Sequence, residues 1–215
     1  MKKGILGLVC CLLFALPAVS SAATGWYGSV NAGVAIVPDS DLDMTVNIPD
    51  FFVGSLAAEL AYDTGFTFGG AVGYMMDNFR VEGEIAYQTN DIDSLSAYGE
   101  SVPLNGDMSA LTFLVNGYLD FATGGPFTPY ITAGIGYSNV DVEIEGESED
   151  DNLFTYQIGA GLGYAMSETV TLDLRYRYLG AEDFETSESM PGFGSGSLKA
   201  EVSSHNITAG LRFAF

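Results

Sequence analysis

The chain has 215 residues, of which 47% are hydrophobic and 13% are aromatic, and it carries 28 acidic residues against seven basic ones. This length fits one domain, and the hydrophobic content is too high for a disordered acidic chain. The formal net charge of −21 at pH 7 excludes binding to the phosphate backbone of nucleic acids as the main function.

The first 23 residues are typical of a cleavable secretory signal peptide. Lys2 and Lys3 precede an apolar run over residues 5–16, and small residues follow a proline. The run is shorter than the roughly 20 apolar residues of a membrane-spanning helix. Both cysteines lie inside it, so we expect no disulfide and no cysteine metal site in the mature domain, residues 24–215.

Eight segments with alternating apolar residues follow and predict eight β-strands. They cover residues 25–37, 65–77, 79–89, 109–121, 128–139, 154–166, 169–179 and 200–215. Three of the connections are short turns, and the other four are long, acidic and rich in Gly, Ser and Pro. This alternation is the layout of an all-β, eight-stranded antiparallel up-and-down transmembrane β-barrel with four long acidic extracellular loops.

The distribution of aromatic residues indicates which face of the strands meets lipid. A soluble barrel would enclose its apolar face. Here the middle of that face is small or aliphatic, and the aromatic residues gather towards its ends, as in the two interfacial girdles of a membrane barrel. The predicted girdle and assembly signal comprises Trp26, Tyr74, Phe79, Phe121, Tyr164, Tyr176, Phe213 and Phe215.

The opposite face must then line the interior, and it is charged. Buried charges are tolerated only when they are paired, and this face carries four charges of each sign. The predicted interior network comprises Arg80, Glu82, Glu84, Asp120, Asp173, Arg175, Arg177 and Arg212. Arg80 and Asp120 lie at matching depths on neighbouring strands, which predicts an ion pair.

At this point the chain resembles a known group of proteins. Four segments carry the resemblance: GWYGSVNAG (residues 25–33), GYMMDNFRVEGEIAY (73–87), TPYITAGIGY (128–137) and HNITAGLRFAF (205–215). They are similar to the small outer-membrane β-barrel superfamily of opacity-type surface proteins and the N-terminal barrel of outer-membrane protein A. The resemblance implies eight strands, surface-displayed loops and insertion by the barrel-assembly machinery through the terminal aromatic residue.

Two further patterns offer candidate chemistry. Ser203 and His205 share a face of the last strand, with Glu201 beside them, which is a weak form of a nucleophile, base and acid arrangement. Lipid A deacylases use such a Ser/His pair, but an interfacial polar role for His205 is favoured. The run from Asp141 to Asp151 holds seven carboxylates, which permits Ca²⁺ binding, although a solvated loop is favoured because the ligand spacing of a calcium loop is absent.

These observations favour a structural or surface-interaction (adhesin-like) role in the bacterial outer membrane, without enzymatic activity and without a cofactor or metal. A small porin or narrow channel is the alternative; a wide diffusion pore is not expected, because eight strands leave an interior that side chains just fill. A lipid A deacylase is a remote third. The expected partners are outer-membrane lipids and lipopolysaccharide, the barrel-assembly machinery and an extracellular protein, with no nucleic acid.

Overall fold

A computed structural model describes most of the chain beyond the predicted signal peptide. The described residues are 24–48, 52–97, 100–144, 147–182, 184–190, 194–200 and 202–215. The predicted signal peptide, residues 1–23, lies outside the described residues. No helix among the described residues is long and apolar enough to cross a membrane.

The described residues form strands joined by short connections. In chain order the strands are β1 (Thr24–Ile36), β2 (Ser40–Ile48), β3 (Phe52–Tyr62), β4 (Gly65–Met76), β5 (Phe79–Ala97), β6 (Glu100–Asp120), β7 (Phe127–Ile144), β8 (Glu147–Ala165), β9 (Val170–Ala181), β10 (Phe184–Met190), β11 (Gly194–Ala200) and β12 (Ser203–Ala214). Eight of them, β1, β4 to β9 and β12, match the eight predicted segments.

These eight strands close into a barrel in which every neighbouring pair is antiparallel. Around the barrel the order is β1, β4, β5, β6, β7, β8, β9 and β12, and β12 pairs with β1 again. Closure leaves the membrane-spanning part of the sheet without an edge, as a sheet in lipid requires. The predicted fold class is therefore confirmed.

The four long connections continue the barrel wall beyond the membrane. The β5–β6 hairpin stays paired to Ala97 and Glu100, and the β7–β8 hairpin stays paired to Ile144 and Glu147. The other two contain the hairpins β2–β3 and β10–β11. Strand β3 pairs with β5, and β2 pairs with β11, so one curved sheet joins them. The sequence predicted long loops here and did not show this pairing.

The barrel has an apolar outer face and a polar interior. Val115 is 62% exposed and Ile135 and Ile158 are 59% exposed, whereas the inward Arg177 is 1% exposed. In water this arrangement would leave a large apolar surface uncovered, whereas in a membrane the acyl chains cover it. The outer face is therefore the lipid-facing surface.

This arrangement reverses towards the loop end of the barrel. On β7 the inward residues change from Ser138 to Val140, while the outward residues change from Tyr137 to Asn139 and then to an acidic residue at position 141. Buried Val37, Met108, Val140 and Leu153 form an apolar cluster there, which we call the mouth cluster. An apolar inside and a polar outside suit water, so the lipid-facing band ends near Tyr137.

The turn between β4 and β5 places one residue in the left-handed backbone region. Met76 pairs with Phe79, which leaves the two-residue loop Asp77 and Asn78. Asp77 has a φ of 51°. Tight two-residue hairpins need this conformation because it matches the twist of the strands, and Asp tolerates it better than a β-branched residue does.

We expect the substitution Asp77→Val to lower the free energy of unfolding by about 1 kcal/mol, because valine is strained at positive φ. Asp77→Gly should match or exceed the stability of the unchanged protein. Urea unfolding in detergent micelles, followed by the fluorescence of Trp26, measures both. Equal stability of the Val and Gly variants would contradict the assigned turn.

Candidate functional site

Three inward tyrosines, Tyr27, Tyr118 and Tyr130, organise the charged interior at the turn end of the barrel. None of them was predicted to face the interior. Tyr27 lies opposite Gly73 and Tyr130 lies opposite Gly161 on neighbouring strands. A Cβ atom at either glycine would overlap the facing tyrosine ring. The glycines therefore make room for the rings, which direct their hydroxyls into the interior. In the sequence, these two tyrosines could have been recognised as aromatic residues at inward positions, with glycine at the same depth on the neighbouring strand.

Arg80 is held by one carboxylate and three aromatic rings. Its Nε and Nη2 donate to the two carboxylate oxygens of Asp120, each at 2.8 Å. Its Cζ lies 4.1 Å from the ring centre of Tyr118, 4.9 Å from that of Tyr130 and 5.8 Å from that of Tyr27. A bidentate pair combined with ring stacking fixes the guanidinium in one position. The structure thus brings together the two residues that the sequence paired.

Two carboxylates in the same layer are held by tyrosine hydroxyls. Glu82 accepts hydrogen bonds from Tyr27 at 2.9 Å and from Tyr118 at 2.7 Å. Asp173 accepts one from Tyr130 and forms an ion pair with Arg212 at 3.2 Å. Glu82 is therefore held by hydroxyl groups from two different strands. The sequence had predicted only that it takes part in a network of charge pairs.

Glu84 is the centre of the next layer. It lies 2.9 Å from Arg175 Nη2 and 2.8 Å from Arg177 Nη1, and it also accepts a hydrogen bond from Asn116 at 2.8 Å. Arg175 Nη1 donates to the Tyr118 hydroxyl at 2.9 Å, which joins this layer to the one below. One buried carboxylate thus forms ion pairs with two arginines from β9, on the other side of the barrel.

Neutral polar residues fill the interior between the charges and the mouth cluster. Gln88 accepts hydrogen bonds from Ser204 and Asn206, both at 3.2 Å, and donates to Asn90 at 3.0 Å. Two interior cavities lie among the described residues, one beside Arg212 and one below the mouth cluster, and they measure about 30 and 40 Å³. Each has room for only a few water molecules. The described barrel is therefore filled and not open.

The predicted girdle residues lie on the outer face or at its edges. Trp26 packs edge-on against Tyr74 with ring centres 5.3 Å apart. Phe79, Phe121, Tyr164, Tyr176 and Phe215 are exposed, whereas Tyr74 and Phe213 are half-buried. The backbone N–H of Phe215 donates to the carbonyl of Trp26 at 3.0 Å. The last residue of the chain thus closes the barrel against its first strand.

The Ser203 and His205 pair lies at the loop end of β12, in a cluster of aromatic residues. His205 Nδ1 is 2.8 Å from the Tyr176 hydroxyl, and the imidazole packs against the rings of Tyr176 and Tyr178. The third residue of the predicted arrangement, Glu201, lies outside the described residues. Among the described residues it is therefore the Tyr176 hydroxyl that engages the Nδ1 atom, which a catalytic acid would orient.

The acidic run from Asp141 to Asp151 forms the end of the β7–β8 hairpin. Asp141 lies opposite Asp150, and Asn139 Nδ2 lies 3.5 Å from Asp150 Oδ2 and 3.4 Å from Asn152 Oδ1. Residues 145–146 lie outside the described part. Within the part that the structure describes, no group of three potential metal ligands converges. The carboxylates instead extend along both strands of a projecting hairpin.

Removing one partner of the Arg80–Asp120 pair should destabilise the barrel strongly. We expect Arg80→Met and Asp120→Leu each to lower the free energy of unfolding by about 3–5 kcal/mol, because each leaves a buried charge without its partner. The double variant should lose less than the sum of the two. Glu168→Gln, in an exposed turn, is the control. Additive losses in urea unfolding would mean that the two residues do not interact.

The filled interior also predicts the electrical behaviour of the protein. Reconstituted in planar lipid bilayers, it should show no stable open state of nanosiemens size, because the ion-pair layers and the mouth cluster both block the lumen. Single-channel recording measures this directly. A long-lived open state of that size would require an interior arranged differently from the one described.

A comparison with family models agrees with this architecture. The family model described as "Outer membrane protein beta-barrel domain" matches residues 6–215. Among individual proteins, the chain is 27% identical to outer membrane protein PagN of Salmonella typhimurium, covering 95% of each chain. It is 26% identical to a protein of Rickettsia conorii named as a putative adhesin, covering 90% of this chain and 84% of that one.

Solved structures with the same fold have low sequence identity. The structure of OprG from Pseudomonas aeruginosa superposes with a TM-score of 0.61 at 17% identity, covering 92% of this chain and all of that one. Neisserial surface protein A superposes with a TM-score of 0.55 at 19% identity, with 91% and 100% covered. The chain therefore belongs to the family of outer-membrane β-barrel domain proteins and is an integral protein of the bacterial outer membrane.

Proposed function

We propose that this protein is an adhesin-like surface protein, in which a sealed barrel holds acidic hairpins outside the cell for interaction with an extracellular partner. The observation that carries this proposal is the contrast between the two halves of the molecule. The membrane part is filled with internally compensated charge, whereas the projecting hairpins carry carboxylates that are exposed, such as Glu143, Asp150 and Asp151. Binding capacity is thus concentrated outside the membrane.

The ordered backbone of the extracellular hairpins favours a role in binding a partner. Because the hairpins continue the hydrogen-bonded wall, their backbones leave the membrane already ordered. An ordered surface loses less conformational entropy on binding than a flexible loop does. The names of the Rickettsia relatives as putative adhesins agree with this role.

The proposed partners follow from charge and position. A strongly acidic surface attracts basic partners and repels anionic ones. Contact with phosphates of lipopolysaccharide would therefore need bridging cations, whereas a basic extracellular protein would bind directly. At the other end, Phe215 and the aromatic girdle would face outer-membrane lipid, and the closing strand that ends in Phe215 would be the segment that the barrel-assembly machinery receives.

We do not assign an enzymatic activity to this protein. The imidazole of His205 is engaged by Tyr176 and packed among aromatic rings at the expected membrane interface. Amphipathic aromatic residues stabilise this region of a membrane protein. His205 is therefore best explained as part of the interfacial girdle.

Bacterial adherence tests the proposed function. A non-adherent bacterial strain that displays the protein should attach to cultured epithelial cells, and replacing residues 141–150 by a short turn should reduce the number of attached bacteria at least severalfold. The replacement leaves every pair from Val140 and Asp151 downward intact, so a heat-modifiable gel band should still report a folded barrel. Unchanged attachment would remove this hairpin from the proposed role, and no attachment by the intact protein would contradict the role itself.

A further inference from the structure

One backbone edge of the extracellular sheet has no partner strand among the described residues. The β8–β9 ladder ends at Thr155 and Ala181, with one further hydrogen bond from the N–H of Glu182 to the carbonyl of Phe154. Beyond this point β8 continues to Glu147 and, within the described ranges, pairs only with β7. Strand β10 follows β9 in the chain, and in the part that the structure describes it pairs only with β11. Among the described residues, none therefore pairs with this side of β8 from Leu153 to Glu147.

The direction of the backbone groups along this edge follows from the last hydrogen bond. Because the carbonyl of Phe154 points away from β7, the N–H and C=O groups of Asn152, Asp150 and Ser148 point the same way. The N–H of Asn152 supports this direction, since it is satisfied by the Asp151 carboxylate at 2.7 Å and not by β7. The edge thus offers the alternating donors and acceptors of a strand that lacks one neighbour.

The side chains beside this edge determine which strand it accepts. Asp150 and Asp151 are exposed on β8, Glu143 is exposed on β7, and Glu182 is exposed where β9 ends. The basic residues of β9, Arg175 and Arg177, are buried in the barrel. Charges on an exposed edge prevent a second copy of an acidic chain from pairing there, whereas a cationic strand would be attracted.

We propose that the free edge of β8, from Leu153 to Glu147, binds an extended, lysine- or arginine-rich segment of an extracellular protein as an added β-strand. Backbone hydrogen bonds would give the geometry, and the carboxylates would select for positive charge. The Asp151 carboxylate would exchange the N–H of Asn152 for a basic side chain as the strand docks. This inference rests on the proposed surface-interaction role and specifies its partner class and its site.

The test uses the full barrel in detergent micelles and a fluorescent peptide of alternating lysine and threonine. The control peptides are a copy in which alternate backbone nitrogens are methylated, which keeps the charge but removes donors, and a glutamate–threonine peptide. Fluorescence anisotropy should show binding of the lysine peptide about tenfold tighter than of its methylated copy, as the loss of one or two hydrogen bonds predicts. The glutamate peptide should not bind.

Variants at one position separate hydrogen bonding from charge. Asp150→Asn removes a carboxylate, whereas Asp150→Pro also removes the edge N–H, and proline is tolerated at an edge position that faces away from the paired strand. Asp141→Asn is the matched control, because it removes the carboxylate directly opposite on β7. Asp150→Pro should weaken binding severalfold more than Asp150→Asn, and Asp141→Asn should resemble Asp150→Asn.

Results other than these would overturn the inference. Equal affinity for the lysine peptide and its methylated copy would reduce the interaction to charge attraction, and no binding of the lysine peptide would remove the site. The adherence assay keeps the two proposals apart. If bacteria displaying Asp150→Pro attach normally while the intact protein adheres, the β8 edge is wrong and the surface role stands. If the intact protein does not adhere, the surface role itself fails.

Discussion

The structure depends on the pairing of charges inside a space that holds very little water. Eight strands enclose an interior that admits side chains and little else, yet four arginines point into it. Each arginine contacts a carboxylate: Arg80 contacts Asp120, Arg212 contacts Asp173, and the remaining two share Glu84. Because an isolated buried charge is costly, the positions of these residues on separate strands constrain the relative positions of those strands. The polar core thus provides specificity of assembly that an apolar core would provide in a soluble protein.

Much of this architecture could be predicted from the sequence, because a membrane barrel has a strict two-residue period. The eight segments, the outward apolar stripe and the inward charges all follow from that period. The pair of Arg80 and Asp120 could be predicted as well, since both lie a fixed distance from a short turn. In such cases local spacing determines which residues meet.

The contacts across the lumen could not be predicted in this way. Glu84 meets Arg175 and Arg177, which lie about 90 residues further along the chain, and their meeting depends on the tilt and stagger of the closed sheet. The tyrosines that bind Glu82 were missed because aromatic residues were assigned to the lipid face as a class. The extra strands beyond the membrane were missed because acidic residues, glycines and serines also occur in loops.

The reversal of the two faces near Tyr137 also determines how deeply the protein sits in the membrane. A shift of the barrel by two residues towards the cell interior would bring Asn139 and Asp141 into lipid, and a charged residue on the lipid face costs up to several kcal/mol, depending on depth. A shift in the opposite direction would expose Ile135 and its neighbours to water. The alternating sequence of one hairpin therefore acts as a depth marker. The height of the acidic hairpins above the membrane is thus fixed by the strands themselves.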